Sequence, residues 1–129
     1  MLEVTAAIIR RDGKILICQR PANKNCGLLW EFPGGKIEAG ETGEQCIIRE
    51  CQEELSVTLS VERKLTDIVF ESPDRTVHLH FYICEIAAGS LILTEHNNLA
   101  WVDNVEILDY NFCPADKKML DKIGVNNIF

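Results

Sequence analysis

The sequence lacks the features that mark a membrane-spanning or secreted protein. It contains no uninterrupted apolar run of about 18 residues, the length needed to cross a bilayer. Its first basic residue, Arg10, follows the N-terminal apolar stretch, whereas a secretory signal peptide has its basic residues first. These absences predict a cytoplasmic protein with no membrane partner.

The chain also lacks a cysteine pattern typical of disulfide-rich or zinc-binding domains. Six cysteines are present, but none forms a Cys-x-x-Cys pair. Four of them lie inside apolar runs: Cys18, Cys46, Cys51 and Cys84. We therefore interpret the cysteines as reduced core residues rather than as a disulfide framework or a zinc site.

Basic residues are scarce. The chain has 13 Lys and Arg against 20 Asp and Glu, which gives a net charge of −7. This balance argues against binding to a nucleic-acid polymer, whose phosphates attract basic surfaces. It does not exclude a small phosphorylated ligand, because a metal ion can bridge two negatively charged partners.

At 129 residues the chain has the length of one domain, which we place at residues 1–129. Apolar runs rich in β-branched and aromatic residues predict strands. In chain order they are EVTAAIIR and KILICQR, which flank the turn RDGK, then LLWEF, SVTLSVERKLTDIVFE, TVHLHFYICEI, SLILTE and LAWV. Pro33, Gly34 and Gly35 are expected to end the third strand.

Two segments predict helices. The first runs from about Gly43 to Leu55. Thr42 is its predicted N-cap, and Gln45 completes a capping box. The second is PADKKMLDKIG, with proline in its first turn and glycine at its end. The order of strands, helix, strands and helix predicts an α+β or α/β domain with a mixed sheet between helices.

The first predicted helix carries an unusual concentration of acidic side chains. At about 100° per residue, Glu50, Glu53 and Glu54 fall within one arc of the helix. A neighbouring arc holds the apolar residues Ile47, Ile48, Cys51 and Leu55, which are expected to face the core. Arg49 is the only basic residue of the helix, so the acidic face is not the usual mixture of paired surface charges. Clustered carboxylates of this kind favour a hard divalent cation such as Mg²⁺.

The segment before this helix supports the same interpretation. Gly34 and Gly35 allow the backbone to approach a ligand closely, and a glycine carbonyl can itself bind a metal ion. Glu41 lies one loop away, near the start of the helix. A Gly-Gly pair alone is a weak signal, because most such pairs only form turns.

From Gly35 to Val57 the chain closely resembles the signature of the Nudix hydrolase family, G-x5-E-x7-R-E-U-x-E-E-x-G-U, in which U is a bulky apolar residue. The matching positions are Gly35, Glu41, Arg49, Glu50, Glu53, Glu54 and Val57. Two positions depart from the signature. Cys51 stands where Leu or Ile is usual, and Ser56 stands where a glycine usually follows the helix. Neither departure touches a ligand-binding position, and the number of fixed positions makes the match specific.

The resemblance extends along most of the chain and is to the MutT-like branch of the family, through EFPGGKIEAGE. Within that branch the chain is most similar to bacterial CTP pyrophosphohydrolases, through LLWEFPGGK, HLH, EHNNLAWV and PAD. The resemblance implies the Nudix fold, an α/β/α sandwich of the α+β class. It also implies Mg²⁺- or Mn²⁺-dependent hydrolysis of CTP, dCTP or oxidised dGTP to a monophosphate and pyrophosphate. Water would attack the inner phosphorus of the pyrophosphate leaving group, which is the one linked to the nucleoside monophosphate.

The resemblance implies a set of metal ligands. Glu50, Glu53 and Glu54 would bind the metal ion, and the Gly35 carbonyl would assist. Glu95 opens the loop EHNN, where MutT-like proteins carry a carboxylate that reaches the metal site. An ordinary loop glutamate is the alternative interpretation of this residue.

The implied catalytic residues are Arg49, Glu50, Glu53 and Glu95. Arg49 would hold the loop and the helix in shape by pairing with Glu41 or a neighbour. The general base would be either Glu53 or Glu95, and the resemblance does not decide between them.

Three residues are candidates for substrate binding. Arg20 ends the second strand and aligns with an arginine that contacts the nucleotide in MutT-like enzymes. Phe32 would lie beside the base, with Trp30 near it, although either ring can instead belong to the core. Asp116 could accept hydrogen bonds from a cytosine amino group or from the N–H edge of guanine, and if protonated it could also donate one. Acidic residues are also favoured in the first turn of a helix without any ligand. We give this ordinary interpretation of Asp116 the same weight as base recognition.

The two remaining candidates are histidines. His78 and His80 alternate along one predicted strand and therefore project from the same face. Because Mg²⁺ and Mn²⁺ prefer oxygen ligands, we interpret both as surface or pocket-lining residues rather than as ligands of these ions.

Two other functions are compatible with the resemblance. One is a catalytically weak Nudix module that binds a nucleotide as a regulator, and the other is a Nudix hydrolase of another nucleoside diphosphate derivative. The chain retains all the signature glutamates, which favours an enzyme. It is compatible with a monomer or a homodimer.

Overall fold

The computed structural model describes residues 1–129, and its elements follow the predicted order of strands, helix, strands and helix. The strands are β1 (Leu2–Arg11), β2 (Lys14–Gln19), β3 (Trp30–Glu31), β4 (Gly34–Lys36), β5 (Val57–Glu71), β6 (Thr76–Gly89) and β7 (Asn98–Val102). The α-helices are α1 (Gly43–Leu55) and α2 (Pro114–Ile123). Two short 3₁₀ helices that the sequence did not predict lie at Glu106–Asp109 and Val125–Ile128.

β1 is the central strand of a mixed sheet. It pairs in parallel with β6 and antiparallel with β2 and β4. β5 extends the sheet beyond β6, while β3 and β7 both pair with β2. The predicted β1–β2 hairpin is present, with Arg10 opposite Ile15. The parallel β1–β6 pair needs a long crossover connection, and α1 lies within it.

Each face of the sheet is covered by one helix, so the domain is an α/β/α sandwich. Because side chains alternate along β1, Ile8 points into one core and Ile9 into the other. α2 contributes Met119 to the first core, and α1 contributes Ile47 to the second. This arrangement confirms the predicted mixed sheet between helices.

The prediction that SLILTE forms a strand is wrong. Residues 90–97 form neither helix nor strand, and Ile92 and Leu93 are exposed. The Ile92 N–H donates a hydrogen bond of 2.9 Å to the Leu55 carbonyl at the end of α1. The segment is therefore a loop attached to the helix that carries the acidic residues.

Three further local predictions need correction. The third strand is only Trp30–Glu31, and Gly34–Lys36 does more than end it, because this segment pairs with β1 as a strand of its own. A β-carbon on Gly34 would overlap the carbonyl oxygen of Thr5, so the close pairing requires glycine. Ile48 is 36% exposed and does not belong to the core face of α1.

Both ends of α1 are capped. The Thr42 hydroxyl accepts a hydrogen bond of 3.1 Å from the Gln45 N–H, and Gln45 Oε1 accepts one of 2.9 Å from the Thr42 N–H. This is the predicted capping box. At the other end Ser56 adopts φ 60°, a left-handed conformation usually taken by glycine. Its N–H still donates to the Gln52 carbonyl at 3.1 Å, so the closing hydrogen bond forms with serine.

The burial of five cysteines agrees with their predicted place in the core. All six are free, and all except the partly exposed Cys26 are buried. No helix combines the length and the apolar character needed to cross a membrane.

Candidate active site

Gly35 and Glu50 are brought into contact by strand β4 and helix α1. β4 pairs with β1, so Gly35 lies opposite Thr5, whose hydroxyl donates to the Gly35 carbonyl at 3.2 Å. A β-carbon on Gly35 would overlap the Glu50 carboxylate and come within 2.6 Å of its Oε1. The missing side chain at position 35 therefore leaves the space that this carboxylate occupies.

Arg49 holds the loop and the helix together. Its Nε and Nη2 donate to the two carboxylate oxygens of Glu41 at 2.7 and 3.0 Å. It also donates to Glu50 at 2.9 Å, to Glu53 at 3.2 Å and to the Lys36 carbonyl at 3.1 Å. Hydrogen bonding to Arg49 lowers the pKa of Glu41 to about 2. The predicted pairing of Arg49 with Glu41 is therefore present.

The three helix glutamates differ in exposure. The side chains of Glu53 and Glu50 are 57% and 17% exposed, whereas Glu54 as a whole residue is 7% exposed. Their carboxylates do not surround a common point, because no three acids of this helix place oxygens within 4.8 Å of one another. Glu50 and Glu53 both accept from the same Arg49 nitrogen, Nη1, whereas Glu54 does not pair with Arg49.

Glu54 gives the clearest indication of a cation-binding site. Its Oε2 is buried and has no hydrogen-bond partner. Burial, followed by the charges of Glu50 and other carboxylates, raises the pKa of Glu54 to about 9. Such a carboxylate, next to a second acid and a glycine backbone, fits a divalent cation that prefers oxygen ligands. The groups that could hold the ion are the carboxylates of Glu50, Glu53 and Glu54 and the carbonyl of Gly35.

Glu95 is brought near the acidic helix by its two anchored neighbours. On one side, Thr94 Oγ1 donates to the Glu54 carbonyl at 2.6 Å. On the other side, His96 Nε2 lies 2.9 Å from Glu31 Oε2. Glu95 is exposed and forms no ion pair, yet its charge contributes to the raised pKa of Glu54. The structure thus places an unpaired carboxylate within electrostatic reach of the site.

A cleft of about 510 Å³ opens beside Glu54 and Gly35. Its lining extends to Asp116 at the start of α2. Arg20 and Arg75 also line the cleft and are its two positively charged residues. This volume lies within the range of roughly 300–1,000 Å³ that is typical of small-molecule sites. The cleft therefore connects the carboxylate end of the site with the predicted substrate-binding residues.

Glu31 is a cleft residue that the sequence analysis missed. Its carboxylate accepts a hydrogen bond from Arg20 Nη1 at 3.2 Å and lies 2.9 Å from His96 Nε2. Cys113 and Asp116 each place a polar atom within 4.8 Å of the same carboxylate. The sequence did contain one indication of this role, a charged residue inside the apolar run LLWEF. However, the contacts that place Glu31 in the cleft come from residues in other parts of the chain.

Asp116 and Phe32 meet at the wall of the cleft. Asp116 is 5% exposed and accepts a hydrogen bond of 3.3 Å from the Phe32 backbone N–H. Burial first, and the charge of Glu31 second, raise the pKa of Asp116 well above its usual range, which favours the neutral acid. Phe32 is 3% exposed as a whole residue, and its ring stacks on Phe112 with centroids 5.4 Å apart, so most of the residue belongs to the core.

Three other rings from the sequence analysis do not line the cleft. Trp30 packs edge-on against Tyr110, with centroids 4.9 Å apart. His78 and His80 lie on the surface of the sheet and both pair with Glu3. The sequence left open whether His78 and His80 lie on the surface or line a pocket, and the structure shows the surface position.

Both the sequence and the fold match known proteins over most of the chain. The family model described as NUDIX domain matches residues 4–122. A CTP pyrophosphohydrolase of Escherichia coli strain K12 is 42% identical over 121 residues, which cover 94% of this chain and 90% of the relative. An 8-oxo-dGTP diphosphatase of the same strain is 34% identical over 123 residues, which cover 95% of each. The solution structure of the E. coli ORF135 protein matches with a TM-score of 0.80 at 41% identity, covering 94% of this chain and 86% of that one.

Proposed function

The chain belongs to the Nudix family, and from that premise we propose that it is a Mg²⁺-dependent nucleoside triphosphate pyrophosphohydrolase. Its substrates would be CTP or dCTP and oxidised dGTP, and its products a nucleoside monophosphate and pyrophosphate. Two relatives are named for activities on CTP and on 8-oxo-dGTP. The observation that carries the proposal is the single cleft that joins the buried Glu54 carboxylate to Asp116. We treat residues 1–129 as one catalytic domain.

Mg²⁺ is the proposed cofactor, with Mn²⁺ as the alternative hard cation. Glu54 supplies a buried carboxylate without a partner, and Glu50 and the Gly35 backbone lie beside it. Glu53 would turn from Arg49 toward the ion, which its high exposure permits. When bound, the ion would neutralise phosphate charge and polarise the phosphoryl group. Arg49 keeps the loop and the helix at a fixed separation through Glu41.

We assign the general base to Glu95 rather than to Glu53. Glu53 is already proposed as a ligand of the ion, whereas Glu95 forms no ion pair. An unpaired carboxylate keeps its lone pairs available to accept a proton from water. Thr94 and His96 restrict the position of Glu95 through their contacts with α1 and β3. These contacts support the assignment, because proton transfer requires a well-positioned group.

The nucleotide base would lie at the other end of the cleft. A neutral Asp116 offers one donor and one acceptor, which matches the amino group and ring nitrogen of cytosine. Uracil also offers one of each, so Asp116 alone does not separate the two bases. The Glu31 carboxylate can only accept, and it therefore favours the cytosine amino group over the uracil carbonyl oxygen. Arg20, which pairs with Glu31, keeps this acceptor in place.

Product analysis in ¹⁸O-labelled water tests the proposal. With CTP and Mg²⁺ we expect CMP and pyrophosphate, with the label in pyrophosphate because attack falls on its inner phosphorus. Glu53→Gln should lose most turnover. Glu44→Gln, an exposed substitution in the first turn of the same helix, is the matched control and should keep it. Release of single phosphate, or nucleotide binding without turnover of any triphosphate tested, would contradict the proposal.

A further inference from the structure

A cluster of charged and imidazole side chains lies outside the cleft, on the sheet face that α1 partly covers. Glu3 is at the start of β1, Asp67 is on β5, and His78 and His80 are on β6. Glu3 is in register with His78, and Asp67 is in register with His80, so three neighbouring strands bring the side chains together. The same face of β6 continues into the α1 core at Tyr82, which places the cluster at the uncovered end of that face.

The cluster has the dimensions of a metal site with mixed nitrogen and oxygen ligands. Glu3 Oε1 lies 2.8 Å from His80 Nε2 and 3.0 Å from His78 Nδ1. The three ligand atoms all lie within 4.8 Å of one another. Tetrahedral Zn²⁺ with bonds of about 2.0–2.1 Å separates its ligand atoms by about 3.3 Å. Small side-chain movements would therefore bring the three atoms to the required distances.

The groups around the cluster support the same interpretation. The second ring nitrogen of His78, Nε2, lies 2.5 Å from Asp67 Oδ2. A carboxylate on the outer nitrogen is the usual partner of a metal-bound histidine, because it fixes the tautomer and the ring orientation.

We propose that Glu3, His78 and His80 form a second metal site, selective for a divalent transition-metal ion of the Zn²⁺ type. Two imidazoles and one carboxylate suit such an ion, whereas Mg²⁺ prefers oxygen ligands alone. The site is separate from the carboxylate site at Glu54. Its ion would link β1 to β6, and through His78 to Asp67 on β5. Three protein ligands leave a fourth position for water.

Lys64 is expected to oppose this binding. Its Nζ lies 2.8 Å from His80 Nδ1 and can only donate, so that nitrogen must accept. When His80 binds a metal ion through Nε2, Nδ1 must instead carry the proton. Lys64 is exposed and would have to move away. Lys64→Gln replaces the donor with a side chain that can accept, and it should therefore strengthen binding.

The test is a Zn²⁺ titration against a chromophoric chelator in excess Mg²⁺, which is added to compete for the proposed carboxylate site. We expect one Zn²⁺ per chain, with affinity reduced about tenfold or more in Glu3→Gln and in His78→Gln/His80→Gln. Lys64→Gln should bind more tightly than the wild type. Two control variants should leave the Zn²⁺ affinity unchanged. Glu53→Gln alters the helix carboxylates, and Cys113→Ser alters the cluster of Glu31, Cys113 and Asp116.

Histidine ¹⁵N spectra give an independent measurement. Zn²⁺ should shift the resonances of His78 Nδ1 and His80 Nε2. The proton on His78 Nε2 should stay in place, and the resonances of His96, the third histidine, should not change. Failure to bind Zn²⁺, or equal binding by the folded double histidine variant, would overturn the proposal. The cluster would then be a hydrogen-bonded network only. Glu3→Gln changes charge with little change of volume, so it provides a result even where the double variant does not fold.

Discussion

The Glu50 carboxylate atoms lie within 2.6 Å of the position that a β-carbon on Gly35 would take, and this contact joins strand β4 to the acidic face of α1. Gly35 is opposite Thr5 on β1, so the central strand of the sheet fixes how closely the backbone approaches the carboxylate. The position of one proposed metal ligand is therefore set by a glycine in another element.

Gly35→Ala should separate catalytic geometry from folding. The added methyl group must displace Glu50, and a misplacement of about 1 Å can reduce turnover roughly a hundredfold. Gly35 does not adopt a left-handed conformation, so alanine is compatible with its backbone. We expect a large fall in kcat with a small change in melting temperature. Lys36→Ala, at an exposed position of the same strand, is the control. Wild-type turnover in Gly35→Ala would show that the contact is not needed.

Glu54 should make the metal-free protein less stable as pH rises. The pKa of Glu54 is about 9 in the folded chain against an ordinary value of 4.5, so the folded state binds the proton more tightly. The resulting stabilisation is fully present below about pH 4.5 and is lost as pH rises through about 9. In EDTA, Glu54→Gln should remove this part of the pH dependence of the melting temperature. Mg²⁺ should raise the wild-type melting temperature most at high pH. Identical pH profiles for the two proteins would contradict the prediction.

Local signals in the sequence predicted the bounds and the N-terminal cap of α1, although Ile48 was wrongly placed on its core face. Its capping box and the spacing of its apolar residues lie within one segment, and the helix spans Gly43–Leu55 as expected. Strand β4 and the loop at 90–97 were not predicted, because their partners are distant in sequence. β4 depends on Thr5, and the loop depends on the Leu55 carbonyl.

The same distinction applies to the candidate site. Helical spacing placed the three helix glutamates on one side of α1. The signature implied that Arg49 pairs with Glu41 or a neighbour, and the pair with Glu41 is present. It did not predict that Glu54 is buried, because burial depends on how the helix packs on the sheet. Glu31 was missed because Arg20 and His96, its partners, come from two other segments.

Glu95→Gln should identify the general base. Loss of a general base reduces kcat by roughly 10²–10⁴, and we expect KM and the Mg²⁺ concentration for half-maximal rate to change little. Glu53→Gln should instead raise the Mg²⁺ requirement, because Glu53 is proposed as a ligand. Thr94→Val, which removes the hydrogen bond to the Glu54 carbonyl, should give a smaller fall in kcat. A Glu95→Gln enzyme that keeps wild-type kcat, or one in which only the Mg²⁺ requirement rises, would exclude this role.

Substitution of Asp116 should show in which protonation state it acts on the base. Burial and Glu31 raise its pKa, so we expect a neutral acid that presents one donor and one acceptor. An asparagine amide presents the same pair with nearly the same shape. Asp116→Asn should therefore keep kcat/KM for CTP within about threefold, whereas Asp116→Ala should lose about tenfold or more, equivalent to 1.4 kcal/mol.

The measurement is kcat/KM for CTP, dCTP, UTP and 8-oxo-dGTP in the wild type, both Asp116 variants and Glu31→Gln. Because the proposed discrimination between cytosine and uracil rests on the acceptor-only Glu31, Glu31→Gln should narrow the preference for CTP over UTP, and Asp116→Asn should not. As pH rises and Asp116 ionises, the wild type should lose activity on CTP relative to Asp116→Asn, since a carboxylate repels the cytosine ring nitrogen. Equal losses in Asp116→Asn and Asp116→Ala would instead show that the ionised carboxylate contacts the base. An unchanged ranking in every variant would place base selection outside Glu31 and Asp116.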